Sequence, residues 1–400
     1  MTRGLRAYAA TAFGARAATE TVGPGLVLVV AASGASLERG PWLLAALTGV
    51  AALAGPPMGV LLDRARRPAR VFAATMLLLA GALALLAFLV PHRPELPLWV
   101  LLVVAAVGGI AEPPLTGAWS AQLPSFVPAD RLSRAFAIDI GTYNLGGIVG
   151  PVLAGTAVLL GVAAPLLVPA ALLLGALVML RYVPIPVRAP DRVHQSVLAD
   201  LRLGIGALLR RPALRRTTVI TTLGLAGQAA LIVAAPALSL QLTGGLTFVG
   251  LLLASFGAGG LMATLVLVRF PLRTNPDAVV LIAVVAGALA QTGLAFAPTR
   301  WLALAGAFGM GLADGPMATA MLSVRERESP PEAMAQVFTT GASLRTSAYA
   351  IATAALGTLA GQGFRTVLLW GTAIELAGVL AGWLVGRSRR PGRVTEVTRS

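Results

Sequence analysis

The sequence predicts an all-α integral membrane protein: twelve transmembrane helices in two pseudo-symmetric six-helix bundles, with both termini cytoplasmic. Three observations lead there. Hydrophobic residues make up 57% of the chain and charged residues only 12%, with a mean hydropathy of +0.83, far from the composition of a water-soluble domain. Apolar runs of about 20 residues, each long enough to cross a hydrocarbon core of roughly 30 Å, follow one another along the chain. The second half of the chain also repeats the first.

The runs place helices at Tyr8 to Ala32, Pro41 to Leu62, Val71 to Val90, Leu98 to Ser120, Ala135 to Leu160 and Pro165 to Val183. After a gap come Thr217 to Leu238, Thr247 to Val268, Ala278 to Ala297, Trp301 to Ser323, Gln336 to Ala360 and Val367 to Gly386. The first contains Arg16 and Glu20, and the seventh and eighth are separated only by QLTGGLT. A cleaved signal peptide is not expected, because the first run is long and eleven more follow it.

Orientation comes from the arginines, which supply all 31 basic residues. Arg64, Arg66, Arg67, Arg70, Arg131, Arg134, Arg269, Arg273, Arg325 and Arg327 fall in alternate loops, on the side of both termini and the central segment. The opposite loops hold Arg39, Arg93, Arg300 and Arg365. The positive-inside rule therefore makes the first side cytoplasmic, as in a multi-pass protein of the inner membrane. Trp42, Trp99, Trp301 and Trp370 then sit at outer helix ends and Trp383 at an inner one, as an aromatic belt requires. The net charge of +15 is thus a topology signal, and no nucleic-acid partner is expected, since that would need the arginines on one folded face.

Four regions follow: an N-terminal bundle over 1–183, a cytoplasmic linker over 184–216, a C-terminal bundle over 217–386 and a basic tail over 387–400. In the linker, Leu198, Leu201, Ile205, Leu208 and Leu209 recur at helical spacing beside Arg202, Arg210 and Arg211. That pattern suits a helix on the anionic inner leaflet, in contact with membrane lipids, or a flexible charged linker. A shift of 202 residues lays GGIAEPPLTG over MGLADGPMAT, so that Gly109 meets Gly311, Glu112 meets Asp314 and Pro114 meets Pro316. It also pairs Trp99 with Trp301, Pro128 with Pro330, Asp130 with Glu332, Phe136 with Phe338 and Gly155 with Gly357. So many matches at one shift indicate internal duplication. Six helices per copy give both copies one orientation in the membrane.

The stretch GVLLDRARRPARV, between predicted helices 2 and 3, holds Gly59, Asp63, Arg64, Arg67 and Arg70. It resembles the loop motif of the major facilitator superfamily of secondary transporters: glycine, three residues, Asp-Arg, then further basic residues. Arg66 stands where a glycine is common, and the second-half counterpart LMATLVLVRFPLRTN lacks the acid. The twelve-helix pattern and the repeat extend the resemblance over nearly the whole chain, since that family is built of two such halves. In predicted helix 5, GGIVGPVLAG approximates the family's antiporter-associated Gly-Pro motif through Gly146, Gly150, Pro151 and Gly155, with Ala154 in place of a glycine. Small residues there also permit close helix packing.

Charges inside the bilayer cost at least about 2.5 to 3.5 kcal/mol each and need partners or water. The predicted helices carry Arg16, Glu20, Glu112, Asp139, Asp314, Arg345 and Glu375. At a rise of about 1.5 Å per residue, Arg16, Glu112, Asp314 and Arg345 fall on the order of 12 to 14 Å from the cytoplasmic end of their helices, with Glu20 deeper. The resemblance implies that helices 1, 4, 7 and 10 line a central cavity, which would turn Glu20, Glu112 and Asp314 toward water and substrate, with Gln228 a polar candidate beside them. Pro113 and Pro114 have no N–H for the carbonyls of Gly109 and Ile110, and Pro316 none for that of Leu312, so helix breaks are expected there and at Gly150–Pro151. Freed carbonyls are tolerated only inside protein or along an aqueous cavity.

Two roles compete for the acids. A carboxyl in the cavity takes a proton on the more acidic side and releases it on the other, coupling proton flow to substrate. Alternatively, Glu112, Asp139 and Asp314 pair with Arg16 and Arg345 as a salt-bridged cytoplasmic gate between the halves. The two are compatible, since a gate that breaks on protonation is itself a coupling device. Asp63, with Arg64, Arg67 and Arg70, belongs to the gate that the family motif implies: it would accept from the free N–H groups that begin helix 11. Glu375, on an outer helix in that fold, is expected to serve packing or an oligomer contact.

An enzyme is not expected. The chain has no cysteine, and its two histidines, His92 and His194, lie in loops on opposite sides, leaving no thiolate chemistry, no histidine-rich metal site and no cofactor. No glycine-rich phosphate loop supports ATP-driven transport. The expected function is proton-coupled efflux of a drug-like or amphiphilic small molecule by a monomer working by alternating access, with Phe13, Met310 and Met317 near the cavity. Uptake of a small metabolite is the alternative, and a lipid-handling or non-transporting protein on the same fold a further one.

Overall fold

The structure, a computed structural model, describes residues 3–116, 119–187, 206, 208–270, 274–329 and 334–387. Its α-helices are α1 (Arg3–Ala32), α2 (Arg39–Arg64), α3 (Pro68–His92), α4 (Leu98–Ile110), α5 (Glu112–Thr116), α6 (Ala129–Ala157) and α7 (Ala164–Leu180). The second half adds α8 (Pro212–Thr243), α9 (Phe248–Arg269), α10 (Pro276–Ala295), α11 (Arg300–Glu328), α12 (Met334–Gly357) and α13 (Phe364–Arg387). Each of the twelve predicted segments coincides with helix, the fourth with the α4–α5 pair. By length and composition, α1, α3, α8, α9, α10, α13 and the stretch Ile138–Leu160, most of it in α6, can cross a membrane, while α4 and α7 are shorter apolar helices. The amphipathic stretch expected in the linker lies mostly outside the described residues, as does the tail from 388 onward. At the linker's end, Leu208 is buried with Leu214 and Val337.

Local sequence explains the ends. Prolines at the first turns of α3, α8 and α10 give up an N–H that would be unpaired there. The Asn275 side chain accepts from the Asp277 N–H to cap α10, and Thr299 accepts from the Leu302 N–H to cap α11. Gly244 ends α8 in the left-handed region, at φ 71°.

Packing repeats between the halves. α1 lies against α6 and α7, α2 against α4, and α3 against α4 and α7. One repeat later, α8 lies against α12 and α13, α9 against α11, and α10 against α11 and α13. The halves join along two seams, α2 with α12 and α6 with α9, and more sparsely where α1 meets α8. These seams are tight at the end of the bundle away from the termini. A side chain on Gly155 would strike the Gly250 backbone, and one on Gly357 would strike Pro41. Toward the other end of α2, Gly55 and Gly59 face open space.

Within each half, the duplicated glycine sets how closely two helices approach. A Cβ on Gly109 would collide with the Leu47 carbonyl of α2, and one on Gly311 with the Phe256 carbonyl of α9. Backbone cannot yield as a flexible side chain does, so the helices themselves would have to part. Gly109→Ala and Gly311→Ala should therefore each destabilise the protein by about 1–3 kcal/mol, read as a lower melting temperature in detergent. Gly81→Ala, at an exposed helical position with nothing nearby, should melt at or above wild type because alanine is the better helix former.

Candidate functional site

The consecutive prolines interrupt their span. α4 stops at Ile110, with the Ala111 N–H drawn in to the Gly108 carbonyl at 3.0 Å, and α5 restarts at Glu112. The chain then tightens into a 3-10 helix over Ser120–Ser125. The other expected breaks do not occur: α6 runs on through Gly150 and Pro151, and α11 through Pro316. A single proline omits one hydrogen bond of a long ladder, whereas Pro113 and Pro114 omit two in succession. Gly146 and Gly150 instead bring α6 against the α1 backbone at Arg16 and Glu20.

Arg16 and Asp139 form an ion pair at 2.7 Å, each about 97% or more buried. The same guanidinium nitrogen donates to the Asp139 carbonyl at 2.7 Å and to Thr142 Oγ1 at 2.6 Å. Asp139 also accepts from the hydroxyls of Tyr8, at 2.6 Å, and Ser120. Around it, Trp119 stacks on Phe72 with ring centroids 4.1 Å apart, and Tyr8 meets Trp119 edge-on. This network joins α1 to α6 within the first half. It is not the bridge between halves expected for Arg16 and Asp139, because the glycines of α6 hold the two helices within reach of each other. Arg345 likewise stays within the second half, its guanidinium 3.4 Å from Met321 Sδ. Among the described residues it makes no ion pair with Asp314.

Between the halves lies a cavity of about 530 Å³, bounded by α1 and α6 on one side and α8, α9, α11 and α12 on the other. Its polar groups are Glu20, Tyr143, Asn144, Gln228, Thr264, Asp314 and Tyr349; much of the rest is apolar, including Leu231, Phe256 and Leu261. Gln228 Nε2 donates to Asp314 Oδ1 at 3.2 Å. The Arg16 guanidinium lies 5.3 Å from the Tyr143 ring centroid, so the buried ion pair backs one wall of the cavity.

Three of the predicted cavity residues thus come together: Glu20, Gln228 and Asp314. Glu112 does not line the cavity, and its Oε2 is buried without a hydrogen-bond partner. Met310 and Met317 are core residues, each 1% exposed, and Phe13 is not part of the lining. Arg64, Arg67 and Arg70 are exposed around the α2–α3 turn, and the Asp63 side chain lies outside the described residues. Sequence reasoning missed Tyr143 and Tyr349, which line the cavity, and Tyr8, which holds Asp139. The chain has four tyrosines, so polar aromatic residues in the middle of apolar helices were a usable signal.

The sequence profile described as the Major Facilitator Superfamily matches residues 8–353. An uncharacterized MFS-type transporter, y4rN of Sinorhizobium fredii (strain NBRC 101917 / NGR234), is 28% identical over 273 residues, 64% of each chain. Among solved structures, the nucleoside transporter NupG superposes with a TM-score of 0.74 at 14% identity, over 97% of this chain and 100% of that one. A bacterial homologue of the human lysosomal transporter Spinster, inward-facing and unoccupied, gives 0.72 at 13% identity, over 97% and 98%. The peptide transporter POT in complex with sulfate gives 0.72 at 15%, over 97% and 96%.

Removing one partner of a buried ion pair leaves the other charge uncompensated, at a cost of about 3–5 kcal/mol. Asp139→Ala should therefore lower the melting temperature sharply, and the double variant Arg16→Met/Asp139→Leu should recover most of the loss. A double variant no more stable than the single one would show that Arg16 and Asp139 do not depend on each other.

Proposed function

The chain belongs to the Major Facilitator Superfamily, and on that premise we propose that this transporter exports an amphiphilic, neutral or cationic small molecule in exchange for protons. The carrying observation is that Glu20 and Asp314 line one largely apolar cavity from opposite halves of the molecule. A carboxyl on each wall lets protons and a cationic or hydrogen-bonding substrate compete for the same groups, and that competition is what couples their movements. Binding of either at Asp314 also disturbs the hydrogen bond from Gln228. The apolar remainder of the lining suits an amphiphile better than a sugar, whose many hydroxyls need hydrogen-bonding partners.

Alternating access requires the cavity to open to one side at a time. With the arginine-rich side cytoplasmic, the tight contacts at Gly155–Gly250 and Pro41–Gly357 lie at the outer end. The conformation is then one closed to the outside. Protonation from outside after reorientation would displace substrate there, and release of the proton inside would reset the cycle.

The test is accumulation in everted vesicles of a lipophilic cationic dye, with nucleosides and dipeptides as competitors. Under an imposed proton gradient, Glu20→Gln and Asp314→Asn should each fall by about tenfold or more, equivalent to about 1.4 kcal/mol or more. Exchange at equal pH should survive, because the amides keep the shape of the site. Competition by nucleosides or dipeptides, with transport in the opposite direction, would favour uptake of a small metabolite instead. Undiminished gradient-driven transport in both variants would remove these acids from the mechanism.

A further inference from the structure

Glu375, expected from its place on an outer helix to serve packing or an oligomer contact, is enclosed within the second half and not exposed at its surface. α13 packs against α8 and α10 at the periphery of the second half, yet Glu375 is only 2% exposed, and neither carboxyl oxygen has a hydrogen-bond partner. The side chain runs through a slot that glycines leave open: a Cβ on Gly227 of α8 would overlap the Glu375 Cγ, and Gly287 of α10 borders an Oε2 with no side chain of its own. A buried acid with both oxygens unpaired is costly to keep, and leucine fills the matching position of the first half, Leu173, which is fully buried.

The slot leads somewhere. A crevice of about 10 Å³, near the smallest space that holds one water, is lined by Glu375, Gly287, Ala313, Met317, Gln228 and Asp314, among others. Gln228 and Asp314 also line the 530 Å³ cavity, so these two residues are the partition between the cavity and Glu375. Of the elements packed on Glu375, α8 presents Gln228, α10 presents Gly287 and Ala283, and α11 presents Asp314. Asp314 is the titratable group among them and acts electrostatically on Glu375; Arg345 of α12 acts in turn on Asp314.

We propose that Glu375 is a second proton-holding site of the second half, exchanging its proton with Asp314 past Gln228 through one water in the crevice. This rests on the reading of Asp314 as a group that takes protons from the cavity. In the transfer, the Asp314 O–H bond breaks as the water gains a proton, and the water gives up another as the Glu375 O–H bond forms. One negative charge thus moves from Glu375 to Asp314. The exchange would empty Asp314 for substrate while the proton stays on the protein, out of reach of the cavity.

The experiment is pH-titrated infrared difference spectroscopy of the full chain in nanodiscs, following carboxylic-acid carbonyl bands. Glu375→Gln should remove one titrating band while the protein still melts cooperatively. Asp314→Asn should keep that band but move its midpoint by about one pH unit or more, as expected for coupled sites. If Glu375→Gln does not fold, glutamate labelled with ¹³C at the side-chain carboxyl, in otherwise wild-type and Asp314→Asn protein, reads the same midpoint. A Glu375 band that is absent, or whose midpoint ignores Asp314→Asn, overturns the proposal. The outcome is separable from the transport assay. Loss of gradient-driven transport in Asp314→Asn without a Glu375 signal leaves the transport function standing and removes only the second site.

Discussion

Inside a bilayer no water is available to a carbonyl, an amide or a charge, and this constraint orders the rest of the molecule. It makes the backbone helical wherever it meets lipid, and it sends each helix interruption and each ionisable side chain to the inside of the bundle. The interruption in mid-span between α4 and α5 is packed on α2 through Gly109. At Arg16–Asp139 the cost of a charge is met by a partner, at Glu20 and Asp314 by a cavity, and at Glu375 by an enclosed crevice. Association of helices in this medium draws little from the hydrophobic effect, so close backbone approach at Gly109, Gly150, Gly155 and Gly311 carries the packing.

Duplication preserved that packing and redistributed the chemistry. The glycines at Gly109 and Gly311 do the same work in each half. The positions of Arg16 and Asp139, however, become Thr218 and Gly341 one repeat later, and the space above Gly341 is taken by the buried guanidinium of Arg325. The first half is therefore locked between α1 and α6 by a hydrogen-bonded ion pair, beside the cavity carboxyl of Glu20. Among the described residues, the second holds its mid-helix acids, Asp314 and Glu375, without an ion pair. Such an asymmetry braces the first half through one ion pair, while each half still presents a carboxyl to the cavity.

Much of this was legible in the sequence, because hydropathy and a 202-residue repeat are properties of the chain alone. The helices and the rare acids follow from period and depth, and the grouping of Glu20, Gln228 and Asp314 from the family resemblance. What eluded sequence reasoning depends on rotation about helix axes and on distances between helices. Arg16 was close in depth to several acids, and only the glycine contacts of α6 on α1 decide that Asp139 is its partner. Glu375 lies on a peripheral helix but on its inward side, through gaps left by Gly227 and Gly287 that have no meaning until α8 and α10 are placed beside it. Pro151 and Pro316 looked like breaks because a proline's missing bond is local, while the strength of the surrounding helix is not.

On the proposed reading, the two halves rock about the cavity, opening one end as the other closes. With no native cysteine in the chain, paired spin labels can be placed cleanly on exposed sites: Ser36 with Gln362 at the end away from the termini, and Arg66 with Ser323 at the other. Pulsed electron-spin distance measurements in nanodiscs, taken as pH is lowered, should show two populations for each pair. The first pair should lengthen as the second shortens. A single unchanging distance in each pair, or changes of the same sign at both ends, would contradict alternating access around this cavity.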